Sequence, residues 1–215
     1  MTFPLVLLLI AAAIALAYGV TLMRARKTVA RALMKTIPVA LLAVTALAAG
    51  ASPLFVAALA FCAAGDWFLA FDGERNFLFG LGSFLAGHLL YTAFFLTGVD
   101  PAVFLQSEIL VVIAFLTAIG VMVNIRLWPH AGDMRIPVVL YSVAIMTMVA
   151  SAKAANLNSI MLAGVVMFMV SDIILARETF LPAKGNLLDR ISDYLVWYLY
   201  SAGQVLIVWG LLFVA

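Results

Sequence analysis

The chain has 215 residues, 67% of them hydrophobic and 10% charged, with a formal net charge of +2, whereas globular domains are about half apolar and a quarter charged. This composition excludes a water-soluble domain, and the charge is too small and too closely tied to the edges of apolar runs to indicate a nucleic-acid partner. A bilayer-spanning helix takes about 20 mainly apolar residues, so one membrane domain of about eight spans over residues 1–215 is expected.

Apolar runs bounded by charged or Pro/Gly breaks predict spans near 3–22, 33–50, 53–71, 77–97, 104–125, 136–152, 157–176 and 191–214. The first run has no basic region before it and no convincing small-residue cleavage site after it, so it reads as a span and not as a removed signal peptide. The tightest turn, between the second and third runs, is made by Ser52 and Pro53. The lone cysteine, Cys62, lies in an apolar run, has no partner for an intramolecular disulfide and reads as a small buried residue.

Alternate connections differ in charge. The first carries Arg24, Arg26, Lys27, Arg31 and Lys35, the third Arg75, the fifth Arg126 and Arg135, and the seventh Arg177, Lys184 and Arg190. The other connections hold only Lys153. Positively charged loops stay cytoplasmic, which places both termini on the outer side and converts sequence position into depth at 1.5 Å per residue. Asp66, Asp172 and Asp193 then fall within roughly 3–8 Å of the cytoplasmic interface. Lys35, Asn124, Tyr141 and Ser142 share that level.

A carboxylate in hydrocarbon costs several kcal/mol unless it is paired, protonated or facing a polar cavity, so Asp66 and Asp172 read as functional before they read as structural. The plainer account is hydration at the interface, or an ion pair with Lys35. The segment Gly65-Asp66-Trp67-Phe68-Leu69-Ala70 is echoed by Ser171-Asp172-Ile173-Ile174-Leu175-Ala176 half a chain later. Four spans separate the copies, so both helices run the same way, as parallel 4+4 repeats would; chance likeness between apolar helices is the competing account. For Asp193, so near the interface, structural and functional readings balance.

His88 lies near mid-depth with Tyr91 close by, on a helix whose Gly80, Ser83 and Gly87 form a small-residue face. An intramembrane histidine needs a polar partner, which favours a site role over a buried hydrogen-bonding one. Asp193, Trp197, Tyr200 and Gln204 follow i, i+4, i+7, i+11 and share one helical face, which suits cavity lining and helix packing equally. Besides its acids the chain offers only His88, His130 and Cys62 as metal ligands, which disfavours a catalytic zinc. It has no G-x-S-x-G elbow, phosphate loop or dinucleotide fingerprint, so the residues point to no cofactor. Paired carboxylates in a low-dielectric site divide the roles of proton donor and acceptor. That apparatus serves acid/base hydrolysis and proton-coupled transport alike, and a non-catalytic lipid-binding protein is a third reading.

The Gly65-Asp66-x-x-Leu69 segment, Phe77 with Gly80, the run from Phe84 to His88 and Tyr91, Ser171-Asp172-x-x-Leu175-Ala176, Lys35 and a Tyr-rich last helix with Gln204 together resemble the YhhN-type integral membrane family, which includes the lysoplasmalogenases. The resemblance implies an all-α, eight-span enzyme that hydrolyses the vinyl ether bond of a lysophospholipid substrate drawn from membrane lipid. It implies Asp66 and Asp172 as the catalytic pair, with Lys35 and His88 in the site. Tyr91, Tyr141, Asn124, Asp193 and Tyr200 are the further candidates for substrate contact. The expected location is the bacterial inner membrane, with the site toward the cytoplasm. Span eight departs from the family pattern in the spacing between Trp197, Tyr198, Leu199, Tyr200 and Gln204.

Overall fold

The computed structural model describes residues 2–214 other than 184 and 186, and describes 188–190 by backbone alone. Lys184 and the Arg190 side chain, both assigned above to the basic side, lie outside the described residues. Among those residues the protein is all helical, with eight α-helices and no strand: α1 Phe3–Thr21, α2 Val29–Ala48, α3 Pro53–Phe68, α4 Glu74–Phe95, α5 Ser107–Leu127, α6 Arg135–Ala154, α7 Ser159–Phe180 and α8 Leu187–Phe213. Seven are long and apolar enough to cross a bilayer, and α3 is the short one at 16 residues. The chain is a multi-pass membrane protein built as a helical bundle, the architecture that satisfies every backbone group in lipid.

Helix ends differ from the hydrophobic-run boundaries for local reasons. α2 starts four residues earlier than the run at 33 because the Thr28 side chain accepts from the Arg31 amide at 3.2 Å, an N-cap that apolar content cannot reveal. α3 ends at Phe68, short of 71, because the chain turns through 69–73; Gly73, at φ +107°, delivers it into α4 at Glu74. At 1.5 Å per residue α3 is about 24 Å long, shorter than the roughly 30 Å hydrocarbon core.

α2 packs on α1 and α3, α3 on α4, α4 on α6, α6 on α7, α7 on α8, and α8 returns to α1 and α2. α5 lies outside this ring against α6, presenting Val111, Phe115, Val121 and Ile125 outward. Leu8, Leu42, Phe55, Leu59, Phe168 and Ile207 fill the interior. Lipid is as apolar as these side chains, so close packing, not removal from water, holds the helices together. The tightest case is the pair α7 and α8. A Cβ at Gly164 would fall 2.6 Å from the Gly203 carbonyl oxygen, and one at Gly203 would fall 2.8 Å from that of Gly164. On α4, a Cβ at Gly87 would meet the Cys62 sulfur at 2.8 Å, so the buried thiol occupies the gap the glycine leaves.

At the end of the bundle carrying most basic residues, Arg31 donates through Nε to the Leu22 carbonyl at 3.1 Å and through a terminal nitrogen to that of Met23 at 2.8 Å. This places a cation on the C-terminal carbonyls of α1, where the helix dipole favours it. Lys27 pairs with Asp72, tying the α1–α2 loop to the α3–α4 loop.

Replacing Gly164 by Val forces the backbones of α7 and α8 apart, whereas a Cβ at Gly82 meets nothing within 4 Å. Gly164→Val should lower stability by about 1–3 kcal/mol, seen as an earlier thermal unfolding midpoint in detergent, and Gly82→Val should leave that midpoint nearly unchanged.

Candidate active site

A cavity of about 590 Å³ opens at this basic end, bounded by α1, α2, α3, α4, α7 and α8. Asp66 reaches it from the last turn of α3 and Asp172 from α7, and they are 1% and 7% exposed. Each acid is held by donors from other helices. Asp66 Oδ2 accepts from the Tyr200 hydroxyl at 2.7 Å, and its Oδ1 lies 3.8 Å from Lys35 Nζ. Asp172 Oδ2 lies 3.0 Å from His88 Nε2 and 3.3 Å from the Tyr141 hydroxyl. Both contacts on Asp172 fall on the same oxygen, and among the described residues no partner reaches Oδ1.

His88 is fully buried in rings. Its centroid lies 4.6 Å from that of Phe168 and 5.2 Å from that of Tyr141. Its Nδ1 faces the Met148 sulfur at 3.4 Å, a weak acceptor, so the tautomer that fits the surroundings carries its proton on Nε2 toward Asp172. Tyr200 is fixed against Phe84 and Phe168, with centroids at 5.5 and 5.3 Å. Gly65 lets Phe84 sit there, since a Cβ at Gly65 would fall 2.6 Å from that ring. The acids are thus mounted on packed aromatic side chains, the rigid setting that precise proton transfer needs.

The mouth is polar and carries both signs. Arg24, Lys27 and Arg31 line it together with Glu178 and Asp193. The Arg24 guanidinium sits 4.9 Å from the Tyr194 ring centroid, and the Ser192 hydroxyl bonds the Glu178 carboxylate. α1 also contributes. Tyr18 lines the cavity and packs on Trp197 at 4.6 Å between centroids, while the Trp197 indole donates to the Ala15 carbonyl at 2.9 Å.

Of the residues singled out from sequence, Asp66, Asp172, Lys35, Asp193 and Tyr200 line this cavity. His88 and Tyr141 join it through Asp172. Two fall elsewhere. Tyr91 is completely buried and donates to Gln204 Oε1 at 2.7 Å. Asn124 lies between α5 and α6 with its amide donating to the Gly120 carbonyl at 2.8 Å. Shared depth does not fix helix azimuth, which is why Asn124 and Tyr141 looked equivalent. Sequence reasoning missed Tyr18, Arg24, Arg31 and Glu178 as cavity residues. Arg31 had a signal, since it stands one turn before Lys35 on the same face of α2, although a topology role absorbed it.

Comparison with known proteins finds a family and named relatives. The chain is 34% identical over 162 residues to a protein named lysoplasmalogenase from Mycobacterium bovis (strain ATCC BAA-935 / AF2122/97), and equally to one of that name from Mycobacterium tuberculosis (strain CDC 1551 / Oshkosh). In each case the match covers 74% of this chain and 60% of the relative, so the chain spans well under two thirds of the length of the curated relatives it matches. No solved structure matches. The model of the YhhN family matches residues 30–211, a span that begins at the start of α2 and contains both acids and the described partners named above, and the chain belongs to the YhhN family.

Proposed function

We propose that this protein hydrolyses the vinyl ether bond of lysoplasmalogens, releasing a fatty aldehyde and glycerophosphoethanolamine or glycerophosphocholine, at a site open to the cytoplasm. One observation carries the reading: two buried carboxylates with separate sets of donors share a cavity that is polar at its mouth and apolar beyond Asp172. The relatives named lysoplasmalogenase support it.

A vinyl ether hydrolyses once a proton reaches the double-bond carbon distal to oxygen. The C=C electrons form the new C–H bond, and the adjacent carbon becomes an oxocarbenium ion. Water adds there and loses a proton, and the hemiacetal collapses to aldehyde and alcohol, so the net change is addition of one water. Asp172 suits proton donation, because no described residue partners Oδ1 and the carboxyl borders the apolar chamber beyond the cavity. Asp66, facing Lys35 and Tyr200, suits the charged role of stabilising the cation and taking the proton from water. Lys35, with Arg24 and Arg31 at the mouth, suits the substrate phosphate. Glu178 and Asp193, which also line the cavity, suit the headgroup amine.

Aldehyde release from a lysoplasmalogen by purified protein is the direct test. Asp66→Asn and Asp172→Asn, checked to unfold at the temperature of the unaltered chain, should each lower kcat by at least about 100-fold. Unaltered release in either would remove that residue from the mechanism, and no release by the unaltered chain would overturn the reading. Tyr200→Phe removes one hydrogen bond to a charged acceptor, worth about 1.5–3 kcal/mol, and should lower kcat roughly ten- to 100-fold with a smaller change in KM.

The side of the membrane is tested separately. In a Cys62→Ala background, Ala25→Cys at the cavity mouth should react with an impermeant maleimide only in inverted vesicles, and Gly98→Cys at the other end only in intact cells. The reverse pattern would place the site on the outer face.

A further inference from the structure

Two further spaces lie beyond Asp172. A narrow chamber of about 50 Å³ shares Phe84, Leu69 and Asp172 with the polar cavity and is otherwise walled by side chains such as Leu81, Val123 and Ile145. That chamber shares Ser142 and Met146 with a third space of about 400 Å³, which runs between α5 and α6 to Ala150, Leu96 and Phe104 at the opposite end of the bundle. The three spaces therefore lie side by side, each sharing lining residues with the next, polar at one end of the series and apolar at the other, with a carboxylate where the character changes.

Three of the polar side chains along the groove bond within their own helices. Asn124 donates to the Gly120 carbonyl, Ser142 to that of Val138 and Thr147 to that of Val143. What the groove offers a ligand is hydrocarbon. Its rim residues Thr117, Val121, Val143 and Thr147 are exposed, so a chain in the bilayer can enter sideways between α5 and α6. From Tyr141 to Ala150 these spaces follow nine residues of α6, about 14 Å, long enough to hold much of an extended lipid chain.

We infer that the groove between α5 and α6 receives the hydrocarbon chain of the lysolipid substrate, and that Gly120 and Met146 control its passage to Asp172. The inference rests on the ether-lipid reading of the same site. Because the bilayer is as apolar as the groove, seating the chain there gains little from burial alone. Its consequence is positional: a chain fixed along α6 holds the vinyl ether carbon against Asp172, where misplacement is costly to rate. Gly120 keeps the groove open, since even a methyl group there would reach ordinary contact with Met146, at 3.6 Å from its Cγ. Met146 is unbranched and able to swing, which the narrow chamber requires of it when a chain passes.

The test pairs turnover with a binding readout. Gly120→Leu narrows the groove, Gly120→Ala is the control for the backbone, and Thr147→Trp obstructs the rim from the lipid side should Gly120→Leu fail to fold. Aldehyde release is followed for short-chain and long-chain lysoplasmalogens. In parallel, a non-hydrolysable alkyl lysophospholipid carrying a diazirine at its chain terminus is photolysed on the full-length protein in detergent, and the adducts are mapped by mass spectrometry. The expected result is labelling within 104–121 and 143–151, its loss in Gly120→Leu, and a fall of tenfold or more in long-chain kcat/KM with short-chain turnover kept. Adducts confined to other helices, or an unchanged chain-length profile in folded Gly120→Leu and Thr147→Trp, overturn the groove while leaving vinyl ether hydrolysis standing. If the unaltered chain releases no aldehyde, the hydrolase reading falls, and the labelling pattern alone decides whether the groove holds a lysolipid chain.

Discussion

Two carboxylates inside a hydrophobic bundle set the terms for everything around them. An unpaired charge in hydrocarbon is too costly to keep, so Asp66 and Asp172 must recruit donors, and those donors come from separate parts of the chain. Lys35 arrives on α2 and Tyr200 on α8 for Asp66. His88 arrives on α4 and Tyr141 on α6 for Asp172. Six helices therefore share the work of holding two acids, and the aromatic packing of Phe84 and Phe168 around Tyr200 and His88 keeps those donors in place.

α3 is the shortest α-helix of the bundle. A 16-residue helix is too short for the full hydrocarbon core, and its end near Asp66 turns into the loop that Lys27 holds through Asp72. The opening of the cavity is thus framed by the α1–α2 loop together with Arg31 on α2, Glu178 on α7 and Asp193 on α8. α1 completes the wall through Tyr18 and the bond from Trp197 to the Ala15 carbonyl, although the family match begins only at residue 30. The helix outside that match is still part of the enclosure.

Much of this was legible in the sequence because membrane helices leave few explanations for a polar residue. The all-helical bundle followed from composition, and Asp66, Asp172, Lys35, His88 and Tyr200 stood out as polar residues at matched positions in apolar runs. The common level of Asp66, Asp172 and Lys35 at the basic end was readable from charge and helical rise, but that of His88, expected near mid-depth and found 3.0 Å from Asp172, was not, and neither was azimuth. A helix with apolar residues all round gives no stripe to orient it, so Asn124, facing the groove between α5 and α6, could not be told from Tyr141, which bonds Asp172. Tyr91 looked like a partner of the site because it follows His88 closely, yet its hydroxyl is used by Gln204. Arg31 was hidden by an ambiguity of type, since a basic residue beside a span serves topology, helix capping and ligand binding with the same side chain.

The order of environments along the interior gives the proposed chemistry its directional sense. From the basic end inward come cations and anions at the mouth, then Asp66 and Asp172, then the apolar chamber and the groove along α6. A lysolipid ether presents its parts in the same order: zwitterionic headgroup, reactive bond, hydrocarbon chain. A site for a small polar solute would not need the apolar continuation, and a transport path would need a polar route to the other face. Here Asn124, Ser142 and Thr147, beyond Asp172, are turned back onto their own helices. That arrangement favours a molecule that is itself amphipathic, held at both ends so that its middle meets the acids.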